Sequence, residues 1–408
     1  MDLDFESHND GGLPPAGFAG LREVFARHLA AAQGGMAFCV YRSGEPLARF
    51  YGGSTNRRAA PSAEVEEAWS PKTMAVMFSG TKGVVATVAA MLVDRGLLDV
   101  RKRVAEYWPE FAAGGKEAVT VSQLLSHTVG LPYVDPEPEG DDPQLDNQGN
   151  ARALAAQAPL WEPGSKVAYH AATYGYLMTE VFGRATGKPV GQLIAELIRE
   201  PLGLEIYLGL PEELDPRVAT VFRSDSYAIS TYLQDPERRK IVERMYRNLV
   251  DPDKDSFNSI GMRRGEMSAG GGIGTADAMA SLYSRLADPA GGGIGTADAM
   301  ASLYSRLADP AGGVVSPAAL ADATTTWSEG VDAINDRPLR FGLGYELADP
   351  IGTYGPVAPA FGHSGAGGGL HGAWPGKNVG FSFLTNEMLA ENQDRRAKDL
   401  LAELAKLV

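Results

Sequence analysis

Ser79-Gly80-Thr81-Lys82 sets a hydroxyl and an amine three residues apart at the head of an apolar segment. On a helix, positions i and i+3 share a face, so the Lys82 amine can reach the Ser79 hydroxyl. A serine at a helix start also carries one of the unpaired first-turn N–H groups, at the positive end of the dipole. Together these make an activated nucleophile without histidine, with a place for an oxyanion beside it. The alternative, a helix-surface lysine, fits poorly with two turns of almost wholly apolar helix around it. Two later segments carry further candidates. Tyr169 ends a turn in Pro163-Gly164-Ser165-Lys166-Val167-Ala168-Tyr169-His170, ahead of an aromatic-rich helix. Beside an ammonium, a phenol is expected to titrate lower and to serve as a base. In Gly362-His363-Ser364-Gly365-Ala366-Gly367-Gly368-Gly369 the glycines let a strand approach a ligand closely, and its N–H groups can supply a second oxyanion donor. A Gly-x-Ser-x-Gly elbow is not formed there, because position 366 is alanine.

Strands at both chain ends must position these groups. Phe18, Leu21, Val24, Phe25 and Leu29 have helical spacing within 16–33. Residues 36–42 and 46–53 read as a hairpin about Ser43-Gly44-Glu45. The run 82–98 reads as a buried helix. From about 100 to 310 the helical period dominates, with helices expected over 121–126, 151–157, 172–187 and 189–199. Strands are expected again over 341–349, 360–365, 371–376 and 379–386, followed by a closing helix over 388–407. The economical architecture is α+β: one antiparallel sheet built from both termini, flanked by the terminal helices, with a mainly helical lobe inserted. Residues 1–100 and 311–408 would form the α/β sheet subdomain, and 101–310 the helical one.

Residues 269–289 recur without a change at 290–310. Two copies are too few for a solenoid. They read as a tandem duplication of one turn-plus-helix unit, with Thr275 and Thr296 as N-caps. One copy is expected to occupy the position that the fold provides. The acidic stretch 135–146 reads as a solvated loop near a cleft; prolines between its acidic residues argue against a calcium loop.

The 408-residue chain carries 37 basic and 51 acidic residues, a net charge of −14, which disfavours nucleic acid as a partner. With Cys39 as the single cysteine, neither an internal disulfide nor a cysteine-based metal site can be built. The first residues lack the basic start and apolar run of a leader, and no run approaches the roughly 20 apolar residues of a membrane span. The expectation is a cytoplasmic protein with no membrane partner, no metal and no organic cofactor.

Taken in order, Ser79-x-x-Lys82, Tyr169 and His363-Ser364-Gly365 resemble the serine β-lactamase and penicillin-binding protein superfamily, which carries Ser-x-x-Lys, Tyr-x-Asn and Lys-Thr-Gly elements. The likeness is closest to the class C-like branch and its family VIII carboxylesterases. Further support comes from 95–111, 120–132, 159–177, PLGL at 201–204 and FGHSGAGGG at 361–369, so the match spans roughly residues 20 to 390. The resemblance implies a β-lactamase/transpeptidase-like fold, with Ser79 as acyl-accepting nucleophile, Lys82 as its activator and Tyr169 as companion base. It also implies an oxyanion hole from the Ser79 and Ala366 N–H groups. His363, Ser364, Gly365 and His170 fall at substrate-binding positions, and His127 would buttress a turn beneath them. The chain departs from the pattern twice. Ala171 replaces the asparagine of Tyr-x-Asn, and His363, mostly neutral at pH 7, replaces the lysine that receives a carboxylate. The implied activity is a serine carboxylesterase acting on a small-molecule ester. An acyltransferase or amide hydrolase, a β-lactamase or penicillin-binding protein, and a non-catalytic binding protein are the alternatives on this scaffold.

Overall fold

Both chain ends pair into one nine-stranded antiparallel sheet. The structure is a computed structural model and describes residues 4–6, 15–140, 142–228, 233–246, 256–288 and 314–408. The strands are β1 (Asp4–Glu6), β2 (Gly35–Arg42), β3 (Glu45–Gly53), β4 (Ser328–Val331), β5 (Pro338–Phe341), β6 (Glu346–Leu347), β7 (Phe361–Ser364), β8 (Leu370–Trp374) and β9 (Val379–Thr385). Their spatial order is β1-β3-β2-β9-β8-β7-β6-β5-β4. The two chain ends meet where β2 pairs with β9, in a register from Met36↔Thr385 to Arg42↔Val379. The main helices are α1 (Ala19–Ala31), α2 (Gly80–Asp94), α3 (Asn147–Ala156), α4 (Thr173–Thr186), α5 (Ala276–Ala287) and α6 (Arg396–Leu404).

Strand β2 shows how the sheet is buried on both faces. Met36, Phe38 and Val40 point toward Phe25 and Leu29 of α1 and Leu400 and Leu404 of α6. Ala37, Cys39 and Tyr41 alternate to the other face and join the core built by α2, α4 and α5. Helix α2 packs on β7 and β8, two central strands of the sheet. Helix α5 packs on β9, β2 and β8. The segment 101–310, expected as a helical lobe, thus contributes α5 to the sheet face.

Two expected elements take another form. The strand expected over 341–349 is a hairpin: the chain reverses between β5 and β6, where Gly344 has φ +85° and the Gly342 N–H donates to the Tyr345 carbonyl. The closing helix begins at Arg396 instead of 388, because Glu387–Met388 pair in parallel with Phe222–Arg223 and the chain then turns before Asp394 caps Arg396. The first copy of the duplicated segment is described through Asp288, and Thr275 caps α5 by accepting from the Ala278 N–H at 3.2 Å. The second copy, with Thr296, lies outside the described residues. Among the described residues no helix is long and apolar enough to cross a membrane.

Candidate active site

The turn before α2 is held from two sides. Ala75–Val76 pair with Ile273–Gly274, and the Met77 N–H donates to the Gly272 carbonyl at 2.9 Å. Thr81 Oγ1 donates to the Phe78 carbonyl at 2.6 Å and accepts from the Gly272 N–H at 2.9 Å. Phe78 sits at φ +50°, a conformation that costs a non-glycine residue about 1–3 kcal/mol and needs such support. Ser79 follows as the N-cap residue of α2 and is half-buried at the cleft wall.

Lys82, one turn on, has no exposed surface. Its Nζ lies 3.0 Å from Ser79 Oγ, 2.8 Å from the Ala171 carbonyl and 2.7 Å from the Ala269 carbonyl. Burial lowers its pKa to about 7, against a weaker upward pull from the Glu346 carboxylate. A neutral amine has two hydrogens and one lone pair. Two carbonyls take the hydrogens, which leaves the lone pair for the Ser79 proton.

Tyr169 closes the trio. Its ring lies 5.0 Å from Lys82 Nζ and packs on His127 at 5.0 Å and Phe341 at 6.2 Å. Its N–H donates to Asp332 Oδ2 at 3.2 Å, which fixes the turn. The buried hydroxyl is within electrostatic reach of Ser79 without a fully formed hydrogen bond. The sequence led us to expect a lowered phenol pKa. The structure reverses this: burial and then the Glu346 charge push it up, and the Ser79 hydroxyl opposes them. Tyr169 is therefore a neutral phenol at pH 7, whereas Lys82 is the group whose pKa is brought near neutrality.

The histidines line up behind the site. His170, expected at a substrate-binding position, spends both ring nitrogens on backbone: Nδ1 donates to the Ala168 carbonyl at 2.7 Å and Nε2 accepts from the Leu131 N–H at 3.0 Å. His127, at φ +62°, accepts from the His170 N–H at Nδ1 and braces the same segment through its carbonyl. His363 is fully buried, meets the Ser364 carbonyl at Nδ1, and is lowered by burial to about 4, so it is neutral. Ser364 turns its hydroxyl to Glu346. None of His170, His363 and Ser364 lines the cleft: the fold takes both ring nitrogens of His170 and the Ser364 hydroxyl, and His363 is buried with Nδ1 on the Ser364 carbonyl.

Gly365 brings this strand end onto the turn that carries Ser79. A Cβ there would lie 2.5 Å from the Met77 carbonyl, so the approach requires glycine. Ala366 follows and lines the cleft with Ser79. Neither the Ser79 nor the Ala366 N–H donates to a backbone carbonyl. The cleft holds about 460 Å³. Phe78, Phe257, Met262 and Met267 form an apolar wall, and Glu137 and Glu139 of the acidic loop line it as well. No group of three or more metal-ligating side chains occurs among the described residues. Two features were invisible in the sequence. The carbonyls of Ala171 and Ala269 carry no side-chain signal, and Glu346 enters only through the β6–β7 pairing.

Comparison with known proteins agrees with this geometry. The Beta-lactamase family model matches residues 21–406. The chain is 33% identical over 368 residues to the esterase/β-lactamase LipL of Mycobacterium tuberculosis, covering 88% of this chain and 78% of LipL. Its fold superposes on a penicillin-binding protein homologue from Caulobacter crescentus with a TM-score of 0.81 and 33% identity, over 100% of both chains. It superposes on a family VIII carboxylesterase with a TM-score of 0.82 and 29% identity, again over 100% of both. With a nine-stranded antiparallel sheet, a serine and lysine joined across one helical turn, and a family match along nearly its whole length, the chain belongs to the Beta-lactamase family and is a hydrolase of the serine β-lactamase and penicillin-binding protein superfamily.

Proposed function

We propose that the chain is a serine carboxylesterase that cleaves small carboxylic esters through an acyl-enzyme on Ser79. The observation that carries this reading is the Lys82 amine, 3.0 Å from Ser79 Oγ with two carbonyls on its remaining hydrogens. Neutral Lys82 takes the Ser79 proton as Oγ attacks the ester carbonyl. The oxygen that becomes negative faces the Ser79 and Ala366 N–H groups. The alcohol leaves with a proton supplied by Lys82 or Tyr169, and water then attacks the acyl-enzyme by the same route in reverse. Esters are favoured over β-lactams because the carboxylate of a β-lactam meets no fixed cation at position 363. His363 is neutral and buried, and Ala171 offers no side-chain amide. A charge-assisted hydrogen bond is worth about 1.5–3 kcal/mol, roughly 10- to 150-fold in binding. The esterase names of LipL and of EstB of Burkholderia gladioli, and the family VIII carboxylesterase neighbour, support this choice.

The test compares p-nitrophenyl esters with nitrocefin and labels the protein with a fluorophosphonate. Ester turnover should exceed nitrocefin turnover by at least about tenfold. Ser79→Ala should lose both the label and at least about 10⁴-fold in kcat/KM, the scale of nucleophile removal. Full esterase activity in Ser79→Ala would sink the reading, and equal rates on nitrocefin would move the protein to the lactamases.

A further inference from the structure

Glu346 is a buried carboxylate to which the acyl-enzyme route assigns no task. Its Oε2 accepts from Tyr354 Oη at 2.5 Å, from the Ser364 N–H at 3.1 Å and from Ser364 Oγ at 2.9 Å. Its Oε1 accepts from Arg337 Nη2 at 2.8 Å. A carboxylate taken out of water is kept charged only by such complete pairing. Burial would push its pKa up, but His363, Arg337, Tyr354 and the Ser364 N–H outweigh burial and hold it at about 2.

Its position has two consequences. Glu346 grips Ser364, the last residue of β7, two residues before the Ala366 N–H. The same strand end must reach the Met77 carbonyl through Gly365, so a slackened Ser364 would move the Ala366 N–H away from Ser79. Glu346 also stands opposite Gly362 on β7, and the adjoining His363 packs against Gly83, the residue after Lys82, so its charge lies on the side of the sheet from which it favours the protonated amine. The other groups facing Lys82 are neutral at pH 7: His127, His170 and His363 are pushed down by burial, and Tyr169 and Tyr174 are pushed up by it. Arg337, the nearby cation, is tied to Glu346.

We propose that Glu346 is a positioning residue for acyl transfer: through Ser364 it fixes the strand end that carries the Ala366 N–H, and through its charge it tunes the Lys82 amine. The proposal rests on the Ser79 acyl-enzyme reading. The test is the pH profile of kcat/KM on p-nitrophenyl butyrate for Glu346→Gln and Ser364→Ala, with folding followed by circular dichroism. The wild-type acid limb should have its midpoint near 7, where Lys82 loses its proton. Glu346→Gln should lower kcat by about tenfold or more and move that limb by about half a pH unit or more toward acid, because the charge that favours protonated Lys82 is gone. Ser364→Ala keeps the charge and should lower kcat by a smaller factor with the limb in place. Wild-type kcat in folded Glu346→Gln overturns the proposal, and so does a lower kcat with an unmoved limb. If Glu346→Gln does not fold, Glu346→Asp retains charge but shortens reach. It should then lower kcat at an unmoved limb, and wild-type kcat there overturns the proposal. Activity that survives Ser79→Ala strikes the acyl-enzyme reading instead, whatever Glu346 does.

Discussion

Lys82 and Lys116 are both wholly buried, and among the described residues neither forms a salt bridge. Both amines are lowered chiefly by burial, to about 7 and about 8. Their acceptors differ. Lys116 Nζ donates to the carbonyls of Ala113 at 2.6 Å, Ala155 at 3.1 Å and Gln157 at 2.5 Å. Three carbonyls match the three hydrogens of an ammonium. Lys82 has two carbonyls and a hydroxyl, and the hydroxyl alone can give a proton back. Desolvation is common to both sites. In the proposed reading, the acceptor set separates Lys82 as a base from Lys116 as a tie between two turns.

The largest expected contrast is in turnover. Lys82→Ala should lose at least about 10²-fold in kcat/KM, the usual scale of general-base loss. Lys116→Met should stay within about threefold, since its amine touches no group of the cleft. Equal losses in the two variants, measured on one ester, would break the comparison.

Stability should move in the opposite sense. The Lys82 amine is displaced from its ordinary 10.5 to about 7 in the folded protein. A lowered lysine means that the unfolded chain binds the extra proton between those values, so stability rises with pH through that window. Below pH 7 the folded state bears the full cost, with an upper bound on the order of 5 kcal/mol. Lys82→Met removes that cost but strands two carbonyls, at about 1–3 kcal/mol each. The two terms offset each other to within about 3 kcal/mol at pH 6, and Lys82→Met should fall behind wild type as the pH rises toward 10. Lys116→Met strands three carbonyls and should lose stability at both pH values. Thermal melts of the two variants at pH 6 and pH 9 check this. A Lys82→Met deficit no larger at pH 9 than at pH 6 would show that the amine is not held against its will.

The same contrast marks what the sequence could reveal. The spacing of Ser79 and Lys82 and the turn at Tyr169 are side-chain patterns, and the structure brings these three residues together. What separates Lys82 from Lys116 is a set of backbone carbonyls, Ala171 and Ala269 against Ala113, Ala155 and Gln157, and carbonyls are alike in every residue. The three-stranded meeting of 75–76, 206–207 and 273–274 that delivers Ala269 is equally silent, each strand being two residues long. Longer patterns were legible: α1, α2 and the β2–β3 hairpin lie close to their expected ranges. Helical amphipathicity misled at 388–395, where Met388 pairs with Arg223 and a turn at Ala390–Asp394 follows before the helix. His363 and His170 were expected at substrate-binding positions because they fall within the family's motifs. Strand alternation and backbone pairing turn them inward.

The smallest effect is expected from removing residues 290–310. Ala-Gly-Gly begins each copy and also follows the second, so deletion of either copy gives the same polypeptide. The retained copy supplies the Ala269 carbonyl to Lys82, the Gly272 contacts to Met77 and Thr81, and α5 to the sheet. The Lys116 cage lies wholly outside the duplicated segment. Closure entropy grows only with the logarithm of the length between fixed ends, about 0.6 kcal/mol per doubling, so the entropic effect of taking out 21 residues is small. The shortened protein should therefore be soluble, keep kcat/KM within about threefold of wild type, and respond to Lys82→Ala and Lys116→Met as the full chain does. Loss of soluble expression would show that the second copy has joined the core or a subunit contact. A selective loss of turnover, with the Lys116 region still folded, would show that the added copy helps hold Ala269 against Lys82.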